Sequence, residues 1–121
     1  MFKSILHCSL IVSSTEESLH FYHHILGMDI DHSRPELGYP GAWLNVGEQQ
    51  IHLLEVDNPD PTQQRPQHGG RDRHVALDTN QLDKLITRLE ANNIRFTLSR
   101  SGRKALFFRD PDGNTIEAIQ S

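Results

Sequence analysis

Four residues of types that bind divalent metal ions recur at matched positions in the two halves of the chain. His7 and His52 lie in the first half, and His74 and Glu117 lie in the second. The separations are similar, with 45 residues between His7 and His52 and 43 between His74 and Glu117. Imidazole and carboxylate groups are ligands for zinc, nickel, manganese and iron. We therefore predict that these four side chains together form a site for one divalent ion.

The matched pairs follow from an internal repeat of one strand, one helix and three further strands. Strands are predicted at 4–12, 28–32, 41–46 and 49–55, and again at 73–78, 94–98, 105–108 and 114–119. A helix with an apolar stripe follows the first strand of each half, with Leu19, Tyr22, Ile25 and Leu26 in one and Leu82, Leu85, Ile86 and Leu89 in the other. Ser14 and Asn80 are the predicted N-caps.

The repeat predicts an α+β fold in a single domain spanning residues 1–121. Module 1 covers about 4–55 and module 2 about 73–119, with a linker at 56–72 that contains Pro and Gly. Because side chains alternate along a strand, His7 faces away from Cys8 and Leu10. We expect two paired βαβββ modules that form a cupped mixed sheet. Helices would cover its outer face, and the metal ligands would lie on its concave face.

Other candidates compete for the metal site. Glu55 is an alternative to His52, but it lies three residues further along the same strand and should point to the opposite face. Five further histidines are not assigned to a site: His20, His23, His24, His32 and His68. Three of these lie on the polar side of the first helix, where solvated side chains are expected.

Composition excludes several classes of function. The formal net charge is −4, so a general nucleic-acid or anionic-membrane binder is disfavoured. No apolar run approaches the roughly 18 residues of a membrane span. The single cysteine, Cys8, excludes an internal disulfide and a cysteine-rich zinc module. We expect a cytoplasmic protein that binds a small molecule.

With these features in place, the chain resembles the vicinal oxygen chelate superfamily. The resemblance rests on the paired modules, on the opening His7 and His74, and on the turn 110–114 ahead of Ile116 and Glu117. It covers residues 4–119 and is closest to the small proteins similar to glyoxalase I. The superfamily also includes extradiol dioxygenases, fosfomycin-resistance enzymes and bleomycin-resistance proteins.

The resemblance implies a divalent ion (Zn, Ni, Fe or Mn) bound by His7, His52, His74 and Glu117. It implies a lyase or isomerase that acts on a small oxygenated substrate, free or conjugated to glutathione, through a metal-stabilised enediolate, with Glu117 as the base. His52 departs from glyoxalase I, which has a Glu at that position, so two alternatives stay open. One is an iron-dependent extradiol dioxygenase, and the other is a small-molecule binding protein without catalysis. The resemblance also implies a homodimer in which each chain contributes part of the site.

Substrate contacts are predicted from two places in the sequence. The segment 99–104 carries several cations, and Arg103 and Lys104 are candidates for binding an anionic group of the substrate. Trp43 is a candidate for the apolar wall of the pocket. A solvated loop and ordinary core packing are the respective alternatives.

Overall fold

The computed structural model describes all 121 residues, which divide into two compact units. The first unit is Met1–Asp60 and the second is Pro61–Ser121. Each contains a four-stranded mixed sheet and one helical segment between its first two strands. The predicted α+β class and the βαβββ order of each module are confirmed.

The first unit builds its sheet from β1 (His7–Val12), β2 (Asp29–Ile30), β3 (Gly41–Val46) and β4 (Gln49–Glu55). The strand order is β1-β4-β3-β2. β1 and β4 run parallel, whereas β3 is antiparallel to both of its neighbours. A parallel pair requires a long connection. Here that connection contains the helix α1 (Thr15–Leu19), which continues as a π-helix over His20–Ile25.

The second unit repeats this arrangement with β5 (His74–Thr79), β6 (Phe96–Leu98), β7 (Ala105–Arg109) and β8 (Thr115–Gln120). Its order is β5-β8-β7-β6, again with one parallel pair, β5 and β8. A 3-10 turn at Gly69–Arg71 precedes β5, and the helix α2 (Leu82–Ala91) follows it.

The strand registers establish the repeat at the level of single residues. Ser9 pairs with His52 in the first unit, and Ala76 pairs with Glu117 in the second. Ser9 lies two positions after His7, as Ala76 lies two positions after His74, so each pair of candidate ligands lies on one face of its sheet.

Apolar side chains from the strands and the helix form the core of each unit. Val12, Leu44, Ile51 and Leu53 are buried in the first unit, and Leu89, Leu106 and Ile116 in the second. Cys8 is half-buried, and its burial raises the pKa of the thiol. No helix is long and apolar enough to cross a membrane.

The first strand and the first helix depart from the sequence prediction. β1 begins at His7, which pairs with Gln50 on β4, rather than at residue 4. Leu6 still accepts a hydrogen bond of 3.0 Å from the Gln50 amide, whereas Ile5 is exposed. The π-helix shifts the register of the first helix, so that Phe21 is buried together with Tyr22. A stripe drawn at the α-helical period includes Tyr22 and omits Phe21.

The start of α2 also departs from prediction. Gln81, not Asn80, is the N-cap of α2 and makes no side-chain cap hydrogen bond. The amide of Leu82 instead donates to Gln120 Oε1 at 3.1 Å. A distant residue on β8 thereby supplies the cap that a local side chain was expected to supply.

Candidate functional site

Glu117 and His74 form a close pair on the sheet of the second unit. Glu117 Oε1 lies 3.3 Å from His74 Nε2, and only 5% of the Glu117 side chain is exposed. The cross-strand neighbours of Glu117 are Ala76 and Phe107. Alanine is small, while the ring of Phe107 meets His74 edge to face at a centroid distance of 5.3 Å. The pair therefore combines a buried carboxylate with a partly exposed imidazole.

The orientation of His74 determines what this pair can bind. His74 Nδ1 lies 2.8 Å from the carbonyl oxygen of Asp72. Because a carbonyl oxygen only accepts, Nδ1 carries a hydrogen, and in the neutral ring Nε2 carries the lone pair. Two acceptors, Nε2 and Glu117 Oε1, then face each other and can share a proton or a cation. Two ligand atoms that bind one divalent ion at about 2.1 Å lie roughly 3.0–3.4 Å apart, so the spacing fits a metal.

Arg103 contacts the other oxygen of the same carboxylate. Its Nη2 lies 3.3 Å from Glu117 Oε2, and 58% of its side chain is exposed. Arg103 and Lys104 also line a cleft of about 250 Å³ together with Leu82, Asp83, Leu98, Ser99, Ala105 and Gln120. The structure thus brings Arg103 to Glu117, whereas Lys104 lines only the cleft.

The first unit places its two candidate ligands in a stack of three rings. His52 lies between His7, at a centroid distance of 3.8 Å, and Trp43, at 4.5 Å. The rings are nearly parallel, with interplanar angles of 15° and 9°. The register explains the contact between Trp43 and His52, which are direct cross-strand neighbours. His7 is paired with Gln50 and reaches His52 diagonally.

A hydrogen bond orients His52 as well, but through the opposite ring nitrogen. His52 Nε2 lies 2.8 Å from Gln50 Oε1, while Gln50 Nε2 donates to Asp31 Oδ2 at 2.8 Å. A carboxylate only accepts, so the amide orientation is fixed and His52 Nε2 carries the hydrogen. Burial, aided by the nearby His7 and Arg34, lowers the pKa of His52. The neutral ring, which is the form that binds metals, is therefore favoured.

Each unit thus supplies two donors of suitable chemistry, and neither unit by itself gathers three or more His, Cys, Asp or Glu side chains that could hold a metal ion. Glu55, the alternative to His52, is engaged elsewhere. Its Oε1 accepts a hydrogen bond of 2.7 Å from the amide of Thr15 at the start of α1. The remaining helix histidines, His20, His23 and His24, are exposed.

Two residues that orient these histidines were missed in the sequence. Gln50 lies two positions before His52 on the same strand face, so its proximity could have been predicted from the period of two. Asp72 acts on His74 through its backbone carbonyl, and no side-chain pattern indicates such a contact.

Comparison with known proteins places these features in context. Residues 4–118 match the model of the family described as the Glyoxalase/Bleomycin resistance protein/Dioxygenase superfamily. A curated relative, Glyoxylase I 4 of Arabidopsis thaliana, is 32% identical over 120 residues, which cover 94% of this chain and 68% of the relative.

Two solved structures share the fold at lower sequence identity. One is an E126Q mutant of the fosfomycin resistance protein FosX from Listeria monocytogenes, complexed with Mn(II) and 1S,2S-dihydroxypropylphosphonic acid. Its TM-score is 0.81 at 17% identity, with 100% of this chain and 94% of that chain covered. The other is TnmS3, an antibiotic binding protein from Streptomyces sp. CB03234. Its TM-score is 0.74 at 22% identity, with 98% and 96% covered.

Proposed function

The chain belongs to the glyoxalase/bleomycin resistance protein/dioxygenase superfamily, and from this premise we propose that it is a metal-dependent lyase or isomerase of the glyoxalase I type. Its substrate is a small oxygenated molecule, free or conjugated to glutathione. The observation that carries the proposal is the pair formed by His74 Nε2 and the buried Glu117 Oε1, which are 3.3 Å apart. The plant relative, which is named a glyoxylase I, supports the same reaction class.

The residues proposed to hold the ion are His7, His52, His74 and Glu117. Superfamily members use divalent metals, and Zn, Ni, Fe and Mn all suit a set of imidazoles and one carboxylate. When bound, the ion supplies Lewis acidity to two neighbouring oxygens of the substrate. Because neither unit alone gathers three donors, both pairs are required. We place the two pairs in a homodimer, in which a second copy of the chain completes the site.

Glu117 is the proposed base. Its carboxylate removes a proton from the substrate carbon beside a carbonyl and returns it to the adjacent carbon, so the isomerisation is neutral overall. Only 5% of the Glu117 side chain is exposed, so few water molecules compete with the substrate for this carboxylate. Arg103 keeps Oε2 occupied in the free protein and, being largely exposed, is free to turn towards an anionic group of the substrate.

The remaining predicted substrate contacts keep their roles within this proposal. Lys104 adds positive charge to the cleft that Arg103 lines. Trp43 covers one face of His52 with an apolar ring and shields it from water.

A second candidate is a small-molecule binding protein without catalysis. Each unit alone offers only two donors, so the enzyme proposal needs donors from both units. The same observation favours a binding protein that holds no metal. A third candidate, an iron-dependent dioxygenase, is distinguished from the isomerase by the identity of the metal.

Elemental analysis of protein purified without added metal or chelator tests the proposal. We expect near-stoichiometric metal in the parent, and reduced metal in His52→Ala and in Glu117→Ala. Glu55→Gln is the matched control, because it removes a carboxylate that caps α1, and its metal content should equal that of the parent. Nickel or zinc would direct assays to isomerisation, and iron to dioxygenase chemistry. If the parent protein binds none of these ions at neutral pH, the proposal of a metal-dependent enzyme is wrong and the small-molecule binding protein is favoured.

A further inference from the structure

The ring of His74 is held by the backbone carbonyl of a residue whose side-chain carboxylate is bound by two arginines. The carbonyl belongs to Asp72, two residues earlier, and lies 2.8 Å from His74 Nδ1. Any rotation of the Asp72 peptide would move this acceptor away from the ring. The orientation of the His74 ring therefore depends on the contacts that hold Asp72 in place.

The carboxylate of Asp72 accepts hydrogen bonds from two arginines. Arg65 donates from Nε to Oδ2 at 3.0 Å and from Nη2 to Oδ1 at 2.5 Å, in the two-pronged geometry that makes such pairs strong. Arg109 donates from Nη1 to Oδ2 at 2.7 Å. Only 6% of the Asp72 side chain is exposed, so little water competes for these bonds.

Arg109 is in turn fixed to the sheet and to the segment before the 3-10 turn. It lies on β7 and donates to the carbonyl oxygen of Gly113 at 2.9 Å, to Thr115 Oγ1 at 2.6 Å and to the carbonyl oxygen of Pro66 at 2.5 Å. The chain around residues 65–72 is thereby attached to the same sheet that carries Glu117. Hydrogen bonds from Arg109 therefore connect Asp72, which orients His74, to Thr115 on the strand that carries Glu117.

From these contacts we infer that Arg65, Asp72 and Arg109 form a positioning cluster that fixes His74 in its Nδ1–H tautomer, with Nε2 facing Glu117. Ligand histidines commonly donate their second ring nitrogen to a neighbouring oxygen, which fixes ring and tautomer and strengthens metal binding. The effect of this positioning cluster on metal affinity rests on the proposed function. The tautomer itself does not, because it can be measured in the metal-free protein.

Nitrogen-15 NMR of histidine-labelled, metal-free protein tests the inference. In the parent, His74 should be in the Nδ1–H form when neutral. Asp72→Asn and Arg65→Gln should convert it to a mixture with the Nε2–H form. Asp31→Asn is the matched control, since Asp31 supports His52 through Gln50 in the other unit, and it should leave His74 unchanged.

Zinc titration of the same proteins provides the second readout. We expect the Kd to rise about 10- to 100-fold in Asp72→Asn, with a smaller rise in Arg65→Gln. If Asp72→Asn fails to fold, Arg65→Gln alone decides, because it leaves Arg109 on the carboxylate. A folded variant that keeps the parent tautomer of His74 would overturn the positioning role. A tautomer change in a chain whose parent binds no metal would sustain the role and refute the proposed function.

Discussion

Glu55 and Gln120 occupy equivalent positions on the closing strands of the two units, and each caps the helix of its own unit. Glu55 Oε1 accepts from the amide of Thr15 at 2.7 Å, and Gln120 Oε1 accepts from the amide of Leu82 at 3.1 Å. The repeat thus preserves a capping contact between the last strand and the helix. Each cap lies three positions after the candidate ligand on its strand, and so on the opposite face.

The first prediction separates the cap from the ligand. Glu55→Ala should lower the free energy of unfolding by about 1 kcal/mol, because the first amide of α1 loses its acceptor. Urea denaturation measures this loss, and elemental analysis should find the same metal content as in the parent. Reduced metal in a folded Glu55→Ala protein would return Glu55 to the ligand set in place of His52.

The second prediction uses the stack of Trp43 on His52. Trp43 is the only tryptophan, so its fluorescence reports on this stack alone. Binding of Ni²⁺ or Co²⁺ by His52 should quench the emission with a saturating, one-site dependence on metal concentration. His52→Gln should abolish the saturating component, whereas His32→Gln, an exposed histidine of the same unit, should retain it. Quenching that persists in His52→Gln would exclude His52 as a ligand.

The third prediction concerns acid stability. Hydrogen bonds from Arg65 and then Arg109 hold the pKa of Asp72 well below its ordinary value. A carboxyl group with a lowered folded-state pKa stabilises the protein above its unfolded pKa of about 3.9, and this contribution is lost as the pH falls further towards the folded-state value. Asp72→Asn should therefore cost about 3 kcal/mol at pH 7, because two partly buried arginines lose their counter-charge.

Denaturant unfolding from pH 7 to pH 2 checks both parts of this prediction. The difference between parent and Asp72→Asn should stay constant above about pH 5 and shrink below about pH 4. Asp78→Asn, which changes an exposed carboxylate on β5, should stay within about 0.5 kcal/mol of the parent. A difference that does not vary with pH would show that packing, rather than charge, stabilises the protein at Asp72.

The fourth prediction concerns the turn that precedes β5. A Cβ at Gly69 would lie 2.7 Å from Thr115 Cγ2 and 2.9 Å from Phe107 Cβ, and both of these residues are buried in the sheet. Gly69→Ala should therefore destabilise the protein by about 1–3 kcal/mol through overpacking. Thermal unfolding compares it with Gly38→Ala, where no atom lies within 4 Å and only the positive φ of 85° is unfavourable. The latter cost is about 1 kcal/mol, and a Gly69→Ala protein as stable as the parent would argue against the close packing of Gly69.

Much of the fold could be predicted because it follows from local patterns. β3 and β4 have the predicted bounds, since their alternating side chains and the intervening Gly47 specify a hairpin. The turn before β8 closes as expected, with a hydrogen bond from the Gly113 amide to the Asp110 carbonyl and a φ of 83° at Gly113. The repeat also indicated which face of each sheet carries His7, His74 and Glu117.

The contacts that orient the site depend on residues far apart in the chain. Asp72 meets Arg109, 37 positions away, and Leu82 meets Gln120, 38 positions away. The tautomers of His52 and His74 follow from which ring nitrogen lies beside an accepting oxygen, Nε2 in His52 and Nδ1 in His74. Sequence alone therefore determined the strands, the repeat and the donor types, because hydrophobic period and turn chemistry act over a few residues. Only the tertiary structure decided how those donors are oriented, because a hydrogen bond requires a particular distance and angle between groups that chain folding brings together.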